Sequence, residues 1–257
     1  MIQLDYAPLP EARSTQIART EDTKQGLFIA LLIMTIWAIS MLFLLSLDVE
    51  KLPIYLIIPA MIWQIFIYTG LFVTAHDAMH GVVFPHNLKI NNFIGWTASL
   101  IYALFSFRKL TEKHWQHHHH PASELDPDFH DGKHKNFFAW YWQFTKRYWS
   151  WTRLLGLMAI FNIITHTIHI PDANLTLFWV VPSILSSVQL FYFGSYLPHR
   201  EPKQGYSNSH RTQSNHLPVF WSFITCYHFG YHQEHHEYPS LPWWKLPEMY
   251  KLNRSIS

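Results

Sequence analysis

Histidine is the residue of this chain best equipped for chemistry. Of the 19 histidines, eight fall into three groups: His76 with His80, His114 with His117 and His118, and His232 with His235 and His236. Residues three or four apart share one face of a helix, so each group can present two or three imidazoles to a common point. Eight convergent imidazoles are too many for one metal ion and suit two. All-imidazole ligation fits iron, copper, zinc or nickel. The His-Glu-x-x-His of zinc proteases is absent, as is the Glu-x-x-His of carboxylate-rich di-iron bundles. Two metals serving a lipid-soluble substrate favour iron and dioxygen.

Around these groups lie Asp77, Glu112, Asp126, Asp128, Glu234 and Glu237. Each can orient a ligand ring or stand as a solvated charge. His199, where the last long apolar stretch meets polar sequence, is either a ninth ligand or an interfacial histidine. His228, four residues before His232, reads equally as a ligand or as a support for one. His119 and His120 complete a run of four histidines but are less well placed.

These residues need elements that bring them together. Segments 26–47, 53–75, 154–171 and 174–198 carry no charged side chain, and about 20 apolar residues cross a bilayer core. The mean hydropathy of -0.02 hides this segregation. The pattern predicts an all-α integral membrane protein with about four transmembrane helices, interfacial helices and a His-rich cap. Residues 91–107 are expected to be re-entrant or interfacial, because a crossing there would put the second histidine group on the opposite face. Residues 136–151, aromatic and basic, suit a helix at headgroup level. The 12 Trp, 13 Tyr and 19 Phe fit interfacial belts and an apolar channel.

Only Lys51 lies between the first two spans, and no Lys or Arg falls between 163 and 181. The positive-inside rule therefore places the histidines on the cytoplasmic side. Residues 1–25 read as a cytoplasmic tail and 26–257 as one membrane domain. The net charge of +2 gives no basis for nucleic-acid binding, and the single Cys226 excludes an intrachain disulfide or a Cys-ligated cluster within one chain. No glycine fingerprint or haem-attachment motif is present, so electrons must come from an external donor. Arg108, Lys109, Lys113, Lys146 and Arg147 can dock an acidic, ferredoxin-type partner or contact anionic lipid.

Taken together, the three groups resemble those of the integral-membrane fatty-acid desaturase and hydroxylase superfamily. Within it, the stretches 74–81 (TAHDAMHG), 125–128 (LDPD), 197–199 (LPH), 229–236 (FGYHQEHH) and 242–247 (PWWKLP) are similar to those of bacterial and cyanobacterial β-carotene ketolases. The resemblance implies a desaturase-like oxygenase domain and a cytoplasmic di-iron cap. It implies two non-haem ferrous ions held by His76, His80, His114, His117, His118, His199, His232, His235 and His236, with O2 as co-substrate. It leaves open which members of the His117–His120 run bind. The implied reaction oxidises C4 of the β-ionone ring of β-carotene, toward echinenone and canthaxanthin, by two hydroxylations and a dehydration. The implied setting is a bacterial cytoplasmic or thylakoid membrane. Related alternatives are a carotenoid ring hydroxylase, a fatty-acyl desaturase or an alkane hydroxylase. A membrane metal transporter is a different class, and the spans offer it few polar groups beyond Gln64 and Gln189.

Overall fold

Three of the apolar stretches form helices long and apolar enough to cross a membrane: Lys24–Leu45, Ile54–Met79 and Asp172–His199. They belong to a computed structural model that describes residues 20–256. Residues 1–19 of the expected tail lie outside the described residues, and the first helix, α1 (Thr20–Leu45), begins at the tail's end. Among the described residues every regular element is helical. α2 is Ile54–Met79 and α3 is Leu88–Ala103. α4 is Phe107–His119, α5 is Phe137–Arg147 and α6 is Trp151–Ile163. α7 is the long Asp172–His199. Val219–Cys226, His232–Glu237 and Leu246–Ile256 form α8, α9 and α10.

Local sequence sets where the connecting helices begin. Asn87, Ser106, Asn136 and Ser150 each accept a hydrogen bond from a backbone N–H in the first turn of α3, α4, α5 and α6, satisfying donors that a helix start leaves open. The fourth expected span is the 13-residue α6, extended by a five-residue π turn, Ile164–Ile168. α7 also contains π turns, at Thr176–Val180 and Tyr192–Tyr196. Pro182 and Pro198 follow them. A proline lacks the N–H for a carbonyl four residues back and its ring crowds that carbonyl; the wider turns contain Phe178 and Gly194, the two residues concerned.

Side chains that face outward along the spans, such as Phe28, Ile39, Leu42, Phe43, Ile62 and Ile184, are large and apolar, as a lipid-facing surface requires. Inside, α2 is the central element. Tyr68, Leu71 and Val73 of α2 are fully buried against Tyr102 of α3, Leu190 of α7 and Tyr227 beyond α8. The few polar residues of the spans tie helices together: Ser40 of α1 donates to Gln64 of α2 (3.3 Å), and Thr69 of α2 lies 2.7 Å from Oε1 of Gln189 in α7. At the end opposite the histidines, Asn174 Nδ2 donates to the carbonyls of Leu44 and Leu47 at 3.2 and 2.8 Å, covering groups that the end of α1 leaves unpaired.

Residues 91–107 enter and return. Asn91 donates to the carbonyl of Ala78 near the histidine end of α2 (2.8 Å), while Tyr102 reaches down to Tyr68 and Phe72. Leu104 then takes φ 55° and reverses the chain into α4. This hairpin brings Phe107 back to the level of Gly95, which has no room for a side chain. A Cβ there would sit 2.4 Å from the Phe107 ring and 2.6 Å from Ala78 Cβ. Gly95→Val should therefore overpack the α2–α3–α4 contact and lower stability by about 1–3 kcal/mol, read as a fall in the thermal midpoint of detergent-solubilised protein.

Candidate metal centre

The α2 C-terminus, α4, the α7 C-terminus and α9 bring nine imidazoles together in two sets. In the first, His76, His80, His114 and His235 have nitrogens within 4.8 Å of one another. His118 joins them, its Nε2 lying 3.1 Å from that of His114 and 2.9 Å from that of His235. The second set is His117, His199, His232 and His236, all buried.

The sequence groups do not map one to one onto these sets. In α4, His114 and His118, four apart, face the first set, while His117 faces the second. In α9 the roles are reversed: His232 and His236 face the second set and His235 the first. The spacing explains the split. Positions i and i+4 lie about 40° apart, whereas i+3 falls on the other side of i. α4 and α9 are thus shared walls between two centres.

The nitrogens themselves are informative. His117 Nδ1 faces Asp126 Oδ1 and Oδ2 at 2.9 and 3.0 Å, and His199 Nδ1 faces the carbonyl of Arg211 at 3.0 Å. These oxygens only accept, so in the neutral rings Nδ1 carries the hydrogen and Nε2 is a bare lone pair. His117 Nε2 points at His236 Nε2 (3.1 Å), which lies 3.1 Å from His232 Nε2, which in turn is 3.0 Å from His199 Nε2. Three contacts then have at most two hydrogens between them, one from His232 and one from His236. In the first set, His76 Nε2 is buried with no hydrogen-bond partner. Lone pairs converging without enough protons are what a bound cation requires.

Electrostatics agree. Burial, reinforced by neighbouring imidazoles, keeps His114, His118, His232, His235 and His236 well below the ordinary histidine value, and burial takes His80 down to about 3. These rings are neutral at pH 7 and free to donate lone pairs. His117 differs: burial alone would lower it, but Asp126 and Asp128 outweigh burial and raise it to about 9. A proton there fills one contact, whereas a cation at Nε2 serves the whole set and leaves the Nδ1–H on Asp126.

The carboxylates divide. Asp126 is locked by the backbone N–H groups of Ala122 (2.9 Å) and Asp128 (2.8 Å). Asp77 lies 3.4 Å from His76 Nδ1 and accepts the N–H of Trp243 at 3.1 Å. Asp128 accepts from the Tyr148 hydroxyl at 2.6 Å, and burial raises its pKa. Glu234 reaches no imidazole; it accepts from Ser214, which also accepts the N–H of Gln233 and so fastens α9 to the loop before α8. Glu112 pairs with Arg108, and Glu237 with Gln233. His119 and His120 are exposed, and His228 packs on Tyr231 and Trp243 outside both sets. Of the basic residues proposed to dock a partner, Arg147 and Lys113 turn inward. Arg147 donates to the carbonyls of Asp126 and Pro127, and Lys113 donates to the carbonyl of Arg147.

A cavity of about 100 Å³ opens onto both sets. His76 and His114 of the first set line it with His117 and His232 of the second, and its walls are mostly apolar, including Phe72, Phe105, Phe144, Phe191 and Phe229. Tyr148, the Arg211 carbonyl and Ser214 escaped the sequence reading, since nothing in their local spacing marks them.

Comparison with known proteins places this geometry in context. The fatty acid desaturase family model matches residues 51–167 and 134–257. A zeaxanthin 4-ketolase from Chlamydomonas reinhardtii is 37% identical over 249 residues, 90% of this chain and 54% of that protein. A beta-carotene ketolase from Paracoccus sp. (strain PC1) is 37% identical over 237 residues, covering 90% of this chain and 95% of that protein. Beta-carotene 4-ketolase 3 of Haematococcus lacustris is 39% identical over 197 residues, 73% of this chain and 60% of that protein. The chain thus spans about half of the Chlamydomonas relative and nearly all of the Paracoccus one.

Because Asp126 fixes the tautomer of His117, Asp126→Asn should weaken metal retention by roughly 10–100-fold. Metal content after dialysis against graded chelator concentrations checks this; wild-type retention would contradict the assigned role.

Proposed function

The chain belongs to the fatty acid desaturase family, and on that premise we propose that it is an O2-dependent di-iron oxygenase that turns C4 of a carotenoid β-ionone ring into a ketone. The observation that carries this reading is the pair of imidazole sets opening onto one narrow apolar cavity, in a chain whose relatives are named as ketolases. His76, His80, His114, His118 and His235 would hold one ferrous ion, and His117, His199, His232 and His236 the other. Bound there, the irons would supply O2 activation.

The remaining roles fall to the protein. Asp126 and the Arg211 carbonyl hold His117 and His199 in the tautomer that leaves Nε2 bare. Phe72, Phe105 and Phe229 shape a dry slot in which a ring carbon can be positioned and water excluded. Two oxidations at one carbon are needed. Each consumes one O2, two electrons and two protons, placing one oxygen atom on C4 and releasing the other as water. The second yields a geminal diol, which loses water to give the ketone. Allylic C4 is the natural target, because the adjacent ring double bond weakens its C–H bonds.

The electrons come from an external, ferredoxin-type donor in this reading, and Arg108, Lys109 and Lys146 remain outward to meet it. The distribution of Lys and Arg supports a cytoplasmic active site. A transporter is disfavoured by one particular: Gln64, Thr69 and Gln189, polar groups within the spans, are engaged in helix-to-helix hydrogen bonds, whereas a transport site needs such groups for its cargo.

Expression in a β-carotene-producing bacterium should yield 4-keto pigments, resolved by chromatography with mass spectrometry. Unchanged pigments with altered fatty acids would favour the desaturase reading instead. His118→Ala and His235→Ala should each abolish ketone formation and lower iron content while the chain still inserts in the membrane.

A further inference from the structure

An apolar slot suits a hydrocarbon ring better than the alcohol made from it. Burying a hydroxyl without a partner is costly, so after one oxidation the intermediate would tend to leave. Retaining it requires a polar group beside the metals that is not already committed.

Most polar groups in the cavity are committed. The hydroxyl of Tyr102 lies 3.3 Å from that of Ser186, and Ser187 pairs with Tyr141 at 2.6 Å. The histidines belong to the two centres. Asp128 is different. Its Oδ1 accepts from Tyr148 at 2.6 Å, its Oδ2 has no hydrogen-bond partner among the described residues, and both it and Tyr148 line the cavity. Its carboxylate also lies within 4.8 Å of a ring nitrogen of His117, a member of the second set. The residue cannot swing freely. Its backbone N–H is held by Asp126 and its carbonyl accepts from Trp140 Nε1 at 2.8 Å, and Arg147 pins the neighbouring carbonyls of Asp126 and Pro127.

We propose that Asp128, oriented by Tyr148, accepts a hydrogen bond from the hydroxyl that the first oxidation places on the ring, and so keeps the alcohol in place for the second. This rests on the ketolase reading above. Asp128 touches the intermediate, whereas Tyr148 acts through Asp128 as a positioning residue. The arrangement favours the ketone over release of the alcohol.

The test separates binding from turnover. Iron-loaded protein in detergent, kept anaerobic and without reductant, is titrated with β-carotene and with its 4-hydroxy derivative, and binding is followed by quenching of tryptophan fluorescence. Wild type should prefer the alcohol by roughly tenfold, a charge-assisted hydrogen bond being the difference. Asp128→Ala should erase the preference and Tyr148→Phe should reduce it. In β-carotene-producing cells both variants should shift the product from ketone to alcohol. Ser195, a cavity hydroxyl with no hydrogen-bond partner among the described residues, supplies the control: Ser195→Ala should leave the preference intact.

Equal affinity of wild type for the two ligands overturns the proposal, as does a preference that survives Tyr148→Phe unchanged or that disappears only in Ser195→Ala. If Asp128→Ala fails to fold, Tyr148→Phe decides alone. Failure of the ketolase reading looks different: wild type then makes no ring-oxygenated pigment at all.

Discussion

Nine imidazoles crowd into one volume, four of them with too few hydrogens among their facing nitrogens, and the rest of the architecture is arranged around that crowding. Neutral rings packed this way repel through their lone pairs until something positive sits between them. Burial makes the arrangement sharper, since it disfavours protonating most of the rings. The helices that carry the histidines must therefore be held in place by contacts of their own. Tyr68, Leu71 and Val73 fix α2, the Thr69–Gln189 contact fixes α7 against it, and Ser214 with Glu234 fixes α9.

Two environments are joined in one chain. The spans present large apolar side chains outward, while the cap is tied by backbone carbonyls gathered on Arg147 and amides gathered on Asp126. The cavity lies where they meet. Its walls come from α2, α3, α4, α5, α7 and α9, so a shift in any one of them changes its shape, and the imidazole sets sense the packing of the membrane part directly.

Much of this was legible in the residues. Histidines at three- and four-residue spacing give the imidazole groups, and three of the four expected spans are helices of membrane length, the fourth being the shorter α6 with its π turn. The requirement that the histidine groups meet gives the re-entrant α3–α4 hairpin. What could not be read was how each group divides. Spacing says that His114, His117 and His118 lie on neighbouring faces; only the placement of α2, α7 and α9 around them decides which ring turns to which centre. Nor did the sequence single out Tyr148 or the Arg211 carbonyl, because a tyrosine in an aromatic stretch and a backbone oxygen carry no local signature. Arg147 and Lys113 looked like surface charges and proved to be internal fasteners, since long basic side chains can fold back on carbonyls that no pattern reveals.

The π turn at Tyr192–Tyr196 has a consequence for the angular phase of α7. A π turn holds one residue more than the α-helical turn it replaces, and each residue advances a helix by about 100°. Relative to the regular middle of α7, His199 thus owes its heading to one supernumerary residue. A helix regular through that turn would keep the same lipid-facing composition upstream, yet aim Pro198 where the imidazole now points. The span's length answers to the membrane; its winding answers to the imidazole set it must complete.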